Sequence, residues 1–214
     1  MDIKNYIEHT VLKADTSLKD IKRVSKEAIE NEFYGLCIPP YFVKAAKKAL
    51  QDSQVKIITV IGFPLGYSTT PSKVEEAKKA IDEGADEIDM VINVAALKAK
   101  DYAYVTNDIS TIFSIVHIKG AKLKVIIETA LLTKEEKLKA LEICAEVQVD
   151  FVKTSTGFAK SGAKVEDIIL MRENLPKKIK IKASGSIKTK EQALALINAG
   201  ANRLGVSSSL ELIK

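Results

Sequence analysis

Three charged residues occupy positions where an alternating strand pattern calls for a buried side chain. In the segment DFVKTSTG, Phe151 and Lys153 share one face of a predicted strand, while Val152 takes the opposite face toward the helices. The same alternation puts Lys182 of IKIKASGS and Asp89 of EIDMVI on inward faces. Because charged side chains are almost never fully buried without a partner, we expect these three groups to lie together.

Two lysines beside one carboxylate suit amine catalysis. A lysine must be neutral to attack a carbonyl, and its ordinary pKa of ~10.4 leaves it protonated at neutral pH. Partial burial and a second ammonium both lower that pKa. The pattern therefore predicts one lysine as a nucleophile, the other lysine as its electrostatic partner and Asp89 as a proton carrier. A structural ion pair of Asp89 with one lysine is the alternative, although a second inward lysine raises the cost of burial.

Small turns follow the last three predicted strands. They contain Gly157 in STG, Gly185 and Ser186 in ASGS, and the run GVSSS at residues 205–209. Turns of this kind expose backbone N–H groups, and the loops after the last strands of an α/β barrel commonly hold phosphate. Each turn taken singly is common, but three at consecutive strand ends favour a phosphate site.

The elements that position these residues repeat as strand and helix. Short apolar runs predict strands at residues 6–12, 33–38, 56–61, 87–92, 122–128, 150–154, 179–184 and 202–206. Helical patterns follow them, among them residues 102–118 and the segment that Thr133 caps with Glu136 three residues later. We interpret Gly84 and Gly200 as helix C-caps. Eight alternating units predict a single-domain (β/α)₈ TIM barrel over residues 1–214.

Composition narrows the class of protein. The 214 residues are 46% hydrophobic and 29% charged, which is typical of a globular chain. The net charge is +5, but the lysines are dispersed and tryptophan is absent, so we expect no nucleic-acid partner. A modest positive field would instead attract an anionic substrate.

The cysteines and the lengths of the apolar runs indicate the cellular compartment of the protein. Cys37 and Cys144 have no metal-ligand spacing and are expected to be reduced. The N-terminus contains acids and no secretory apolar core, and no apolar run reaches the ~18 residues of a membrane span. We therefore expect a cytoplasmic protein with no membrane partner.

Motifs along the whole chain resemble the deoxyribose-phosphate aldolase family. They are IEHTVLK, LCIPPYFV, VIGFPLG, EGADEIDMVINVAALK, KVIIETALLT, DFVKTSTGF, IKASGSI and AGANRLGVSSS. The resemblance implies reversible cleavage of 2-deoxy-D-ribose 5-phosphate to acetaldehyde and D-glyceraldehyde 3-phosphate, with no metal or organic cofactor. It also implies a homo-oligomer, either a dimer or a tetramer.

The same resemblance assigns roles to individual residues. Lys153 forms the Schiff base, Asp89 transfers protons through a water, and Lys182 tunes Lys153 and assists proton transfer. The phosphate is expected at the small residues of the three turns, which are Gly157, Gly185, Ser186, Ser207 and Ser208.

Two positions depart from the family pattern. Glu8 stands where the family usually has aspartate, and its longer side chain moves a carboxylate that is expected to bind a substrate hydroxyl. Ser186 replaces the second glycine of an S-G-G turn; serine is strained there if φ is positive, and otherwise its hydroxyl adds a phosphate contact. Thr10 is a further expected substrate contact.

Other polar residues are expected to play lesser parts. His9 and His117 have no partner motif and are not expected to be catalytic. Cys37 is expected to be a buried small residue near the site, and Glu128 to end the fifth strand inside the mouth.

Two other functions fit the same residues. One is a different Schiff-base barrel, such as a transaldolase-like or hydroxypropanoate-type aldolase. The other is a catalytically silent barrel that binds a phosphorylated metabolite, but pure binding has no use for a neutral amine.

Overall fold

Eight parallel strands close into a barrel. The structure is a computed structural model that describes residues 2–51 and 53–213. Each strand pairs with the next along the chain, and β1 also pairs with β8, so the predicted (β/α)₈ TIM barrel is confirmed. The strands are β1 (Ile7–Thr10), β2 (Gly35–Ile38), β3 (Lys56–Ile61), β4 (Glu87–Val91), β5 (Lys122–Ile126), β6 (Phe151–Lys153), β7 (Lys180–Ser184) and β8 (Arg203–Val206).

Helices connect the strands and form the outer layer. They are α1 (Leu18–Glu30), α2 (Val43–Leu50), α3 (Thr70–Asp82), α4 (Val94–Lys98), α5 (Tyr102–Ile118), α6 (Lys134–Val147), α7 (Val165–Asn174), α8 (Lys190–Asn198) and α9 (Ser209–Leu212). The predicted capping box of Thr133 and Glu136 begins α6. Gly84 and Gly200 follow α3 and α8 with φ of +112° and +119°, a conformation that glycine adopts without strain.

Seven of the eight predicted strands are longer than the observed ones, and only the third, residues 56–61, has the predicted bounds. Tyr6 belongs to a 3₁₀ turn that precedes β1, and β5 ends at Ile126 instead of Glu128. Glu128 has a left-handed backbone with φ of +52°, which takes it out of the strand. The Glu128 side chain contacts Thr156, in the loop that follows β6.

The two faces of the strands differ in polarity. Residues that face the helices are apolar and fully buried, such as Ile88, Met90, Val125 and Ile181. The interior of this barrel instead contains several charged side chains, where branched aliphatic residues usually dominate. Ion pairs therefore fill much of the barrel interior, while burial of apolar side chains stabilises the packing of the helices on the strands.

Among residues 2–51 and 53–213, no helix combines the length and the apolar character that crossing a membrane requires. Cys37 and Cys144 are both free and buried. Burial raises the pKa of the Cys144 thiol to about 12.

Candidate active site

Lys153 ends β6 at the mouth of the barrel. Its Nζ donates a hydrogen bond of 2.7 Å to Asp89 Oδ2, and the residue is 2% exposed. The small accessible fraction opens into a cavity of about 770 Å³, whose lining includes Lys153 but not Asp89 or Lys182. Of the three predicted catalytic groups, Lys153 is thus the one that a bound molecule can reach directly.

Asp89 joins three lysines beneath the cavity. Its Oδ2 accepts from Lys153 and from Lys182, each at 2.7 Å, and its Oδ1 accepts from Lys124 at 2.9 Å. Burial alone would raise the pKa of this carboxyl, but the three ammonium groups hold it well below its usual value. Asp89 is therefore ionised throughout the physiological pH range.

Lys182 lies beside Lys153 on the neighbouring strand. The two residues are partners in the register of β6 and β7. Lys182 is fully buried between Asp89 and Glu8, and its Nζ donates to both carboxylates. Although burial would lower its pKa, these two carboxylates raise it above the ordinary value, so Lys182 remains an ammonium.

The pKa of Lys153 moves in the opposite direction. Burial lowers it, Asp89 opposes that effect, and the ammonium of Lys182 lowers it further. This direction is the one predicted from the sequence for a lysine beside a second lysine. The arrangement supplies an accessible amine that loses its proton more readily than an ordinary lysine, next to an ionised carboxylate and an ammonium.

Sequence reasoning missed a lower layer of the same cluster. Lys124 lies on β5, is fully buried, and pairs with Glu87 at 2.5 Å as well as with Asp89. Arg203 lies 3.6 Å from Glu8, and its guanidinium stacks 3.1 Å from the ring centroid of Tyr34. Lys124 shares its inward parity with Ile126, so the alternation of β5 was a signal that could have identified it.

The whole set has an uneven number of charges. We call Lys124, Lys153, Lys182, Arg203, Glu8, Glu87 and Asp89 the interior charge cluster, and each member is at most 8% exposed. With every group ionised, the four cations exceed the three carboxylates by one. A neutral Lys153 balances the cluster, which agrees with the lowered pKa of that lysine.

Glu8 lies deeper than its predicted role requires. It is 0% exposed, its carboxylate pairs with Lys182 and lies 3.5 Å from Lys124, and it is not part of the cavity lining. A substrate hydroxyl in the cavity would meet Lys153 before it met Glu8. The geometry thus gives Glu8 the part of a counter-ion for Lys182, and a direct contact of Glu8 with substrate stays a prediction.

The structure brings the predicted phosphate residues together. Gly157, Gly185, Ser186, Ser207 and Ser208 all line the cavity, and Thr10 does so as well. In the described part of the chain, the backbone N–H groups of these five small residues donate to no other backbone or side-chain acceptor. A ring of free donors around one cavity is what an anion requires.

Close backbone contacts explain the glycines of these loops. A Cβ on Gly185 would lie 3.0 Å from the Cα of Gly162, and one on Gly162 would lie 2.0 Å from the carbonyl oxygen of Gly185. Gly157 and Gly185 also have left-handed backbones. Ser186 has φ of +59°, so the condition under which serine is strained at this turn is met.

Glu128 fixes the loop that follows Lys153. Its Oε2 accepts from the backbone N–H of Thr156 at 3.1 Å and from the Thr156 hydroxyl. Thr156 Oγ1 in turn accepts from the N–H of Phe158 at 3.0 Å. The carboxylate therefore holds the loop that carries Gly157, and this role explains a buried acid at the mouth.

Cys37 lies on β2 beside the interior charge cluster, as predicted, and is fully buried. Together with Glu8 and Asp89 it offers ligand atoms that lie within 4.8 Å of one another. Both carboxylates already bind Lys182, however, and burial raises the pKa of the Cys37 thiol. A divalent cation would have to displace ammonium groups, so the donors are poorly suited to a metal.

Comparison with known proteins agrees with this geometry. The family described as DeoC/LacD family aldolase matches residues 3–210. The chain is 53% identical over 216 residues to the deoxyribose-phosphate aldolase of Thermococcus gammatolerans, and the match covers 100% of this chain and 96% of that protein.

Solved structures give the same result. One described as QR15, an aldolase, superposes with a TM-score of 0.95 at 41% identity, covering 100% of this chain and 95% of that one. A tetrameric deoxyribose phosphate aldolase from Aeropyrum pernix superposes with a TM-score of 0.92 at 26% identity, covering 99% and 89%. The chain, a barrel with a lysine of lowered pKa at its mouth, belongs to the DeoC/LacD family of aldolases.

Proposed function

We propose that the protein is a class I deoxyribose-phosphate aldolase that interconverts 2-deoxy-D-ribose 5-phosphate with acetaldehyde and D-glyceraldehyde 3-phosphate. The observation that carries the proposal is Lys153, a buried amine of lowered pKa that opens onto the cavity 2.7 Å from Asp89. The activity named for relatives about half identical in sequence supports the choice of substrate.

The first half of the reaction uses Lys153 as the nucleophile. In the direction of synthesis, its neutral Nζ attacks the carbonyl carbon of acetaldehyde, and the resulting carbinolamine loses water to give an imine. The imine nitrogen takes up a proton, and loss of a proton from the methyl carbon then gives an enamine. Asp89 is ionised and Lys182 is protonated, so the two can accept and return protons as the bonds change.

The second half forms the carbon–carbon bond. The enamine carbon attacks the aldehyde carbon of glyceraldehyde 3-phosphate, whose oxygen takes up a proton. Addition of water to the new imine then releases 2-deoxyribose 5-phosphate and regenerates Lys153. Cleavage follows the same steps in reverse.

The phosphate group is proposed to bind at the free N–H groups of Gly157, Gly185, Ser186, Ser207 and Ser208. Thr10 lines the same cavity and is a candidate contact for a sugar hydroxyl. Lys188 also lines the cavity and adds a positive charge near these loops.

Trapping with borohydride tests the central claim. Acetaldehyde and sodium borohydride are added in the presence of EDTA, and we expect an ethyl group on Lys153 when peptides are mapped by mass spectrometry. Lys180→Met is the matched control, because Lys180 lies on β7 but is exposed to solvent, and its variant should be labelled like the wild type. The Lys153→Met variant should carry no label.

The outcome separates the alternatives. Label at another lysine refutes the assignment of Lys153, and tight binding of inorganic phosphate without any adduct supports a silent phosphate-binding barrel. Cleavage of an unphosphorylated substrate in clear preference to 2-deoxyribose 5-phosphate points to a different Schiff-base aldolase.

We further propose that residues 1–214 fold as one barrel domain and that the protein works in the cytoplasm as a homo-oligomer, either a dimer or a tetramer. The structurally similar aldolase from Aeropyrum pernix is tetrameric, which supports assembly of this chain. Exposed apolar side chains such as Tyr41 and Ile118, which are 86% and 81% exposed, provide surface that a second copy can cover.

A further inference from the structure

His9 is a buried histidine that has no part in the Schiff-base chemistry. It lies on β1 between Glu8 and Thr10, is 3% exposed, and forms part of the cavity lining. Its register partner on β8 is Val206, the last strand residue before the Ser207–Ser208 turn of the phosphate site. Both of its ring nitrogens have polar partners, which is more than a packing residue needs.

The first partner is Ser209, the first residue of α9. His9 Nδ1 lies 2.9 Å from Oγ of Ser209, and that hydroxyl is also 3.0 Å from the carbonyl oxygen of Val206. Ser209 is fully buried and directly follows Ser207 and Ser208. The Ser209 hydroxyl has a single proton, so it donates to only one of these two acceptors at a time.

The second partner belongs to α1. His9 Nε2 lies 2.8 Å from Oε2 of Glu27, and Arg23 donates to both carboxylate oxygens of Glu27 at 2.8 and 3.0 Å. Burial lowers the pKa of His9, so the neutral ring is favoured, with Nε2–H donating to Glu27 and Nδ1 accepting from Ser209. Arg23, Glu27, His9 and Ser209 thus form a continuous chain from the outer helix to the turn.

We propose that His9 is a positioning residue that fixes the Ser207–Ser208 turn and thereby sets the preference of the enzyme for a phosphorylated substrate. The inference rests on the proposed function, because it assumes that this turn binds the 5-phosphate. His9 touches no reacting atom: its ring nitrogens are occupied by Ser209 and Glu27, and Lys153 is served by Asp89 and Lys182.

The test compares two substrates that differ only in the phosphate. The ratio of kcat/KM for 2-deoxyribose 5-phosphate to that for 2-deoxyribose is measured in the wild type and in His9→Leu. We expect this ratio to fall about tenfold in the variant, through a higher KM for the phosphorylated substrate, while the values for 2-deoxyribose stay within about twofold.

Two conservative variants distinguish the contact of His9 with Ser209 from its contact with Glu27. Asparagine places its amide near the position of Nδ1, so His9→Asn can keep the contact with Ser209 and should restore most of the ratio. Glutamine reaches the position of Nε2 and keeps the contact with Glu27, so His9→Gln should resemble His9→Leu. Ser209→Ala removes one hydroxyl and should also lower the ratio. If His9→Leu does not fold, this variant tests the same contact.

His117→Leu is the matched control, since His117 is the other histidine in the sequence and pairs with Asp150 on the outer surface. It should leave the ratio unchanged. An unchanged ratio in both His9→Leu and Ser209→Ala overturns the role of His9, as does an equal loss on both substrates.

The proposed function fails separately from this inference. A wild type that cleaves neither substrate refutes the aldolase assignment itself. A wild type that cleaves both substrates equally well refutes the phosphate site, and the role of His9 with it.

Discussion

At the scale of single residues, the chemistry depends on how three charges share a small volume. Asp89 accepts from Lys153 and Lys182 with the same oxygen, so each lysine competes for one negative charge. Lys182 has Glu8 as a second partner, whereas Lys153 has none among the described residues. The lysine with the weaker compensation is the one whose pKa falls, and it is also the one that reaches the cavity.

Replacing Lys182 by methionine tests this competition. The change removes the ammonium that lowers the pKa of Lys153 and leaves Asp89 free to interact more strongly with Lys153, and both effects raise the Lys153 pKa. A nucleophile with a higher pKa is neutral only at higher pH. We therefore expect the rising acid limb of the kcat/KM profile to move to higher pH, together with a lower maximum.

The measurement is the pH dependence of kcat/KM for 2-deoxyribose 5-phosphate. Lys180→Met changes a lysine of the same strand at the exposed end and should leave the profile in place. A profile of Lys182→Met with the wild-type midpoint contradicts the tuning role.

At the scale of elements, the helices must be fixed relative to the strand ends that form the mouth of the barrel. Lys73 of α3 and Asp108 of α5 form an ion pair of 2.6 Å, with side chains 0% and 1% exposed. Lys73 Nζ also donates to the carbonyl oxygen of Val91 at 3.0 Å, and Thr70 donates to the other oxygen of Asp108 at 2.7 Å. This pair ties two helices to the end of β4, the strand that carries Asp89.

Breaking this pair should destabilise the fold without changing the chemistry. Lys73→Met leaves Asp108 charged and buried, which costs about 3–5 kcal/mol of unfolding free energy. The double variant Lys73→Met with Asp108→Leu removes both charges and should recover most of that loss. Equilibrium unfolding in urea gives both values, and equal destabilisation of the single and double variants argues against the ion-pair explanation.

At the scale of the whole molecule, the interior and the surface carry charge for different reasons. The four cations of the interior charge cluster exceed its three carboxylates by one, so the cluster accounts for at most one charge of the net +5. The excess therefore lies mainly on the surface, where it favours the approach of a phosphorylated substrate and loses strength as salt is added.

The proposed homo-oligomer can be tested by measuring the molecular mass in solution. We expect the mass in solution, measured by light scattering after size-exclusion chromatography, to be two or four times that of one chain. Replacing the exposed Tyr41 with serine tests whether this apolar surface takes part, because loss of an interface residue should shift the mass toward the monomer at low concentration. A monomeric mass at all concentrations contradicts the proposed homo-oligomer.

The sequence by itself predicted the barrel, and it placed the three proposed catalytic residues on inward faces of their strands. Alternation with a period of two gave the inward faces of Asp89, Lys153 and Lys182, because side-chain direction in a strand follows directly from residue order. Small residues at strand ends indicated the proposed phosphate loops for a similar reason, since the C-terminal ends of parallel strands lie at one face of a barrel. Side-chain alternation and the residues at strand ends are local properties of the sequence, and the barrel contains eight strand–helix units that display them.

Only the tertiary structure decided which charges meet. The position of Glu8 against Lys182, the lower layer around Lys124 and Arg203, and the contact of His9 with Ser209 join residues far apart in the chain. Their distances depend on strand register and barrel closure, which residue types do not specify. The direction of each pKa shift depends on those distances, and so it is the folded barrel that lowers the pKa of Lys153 and raises that of Lys182.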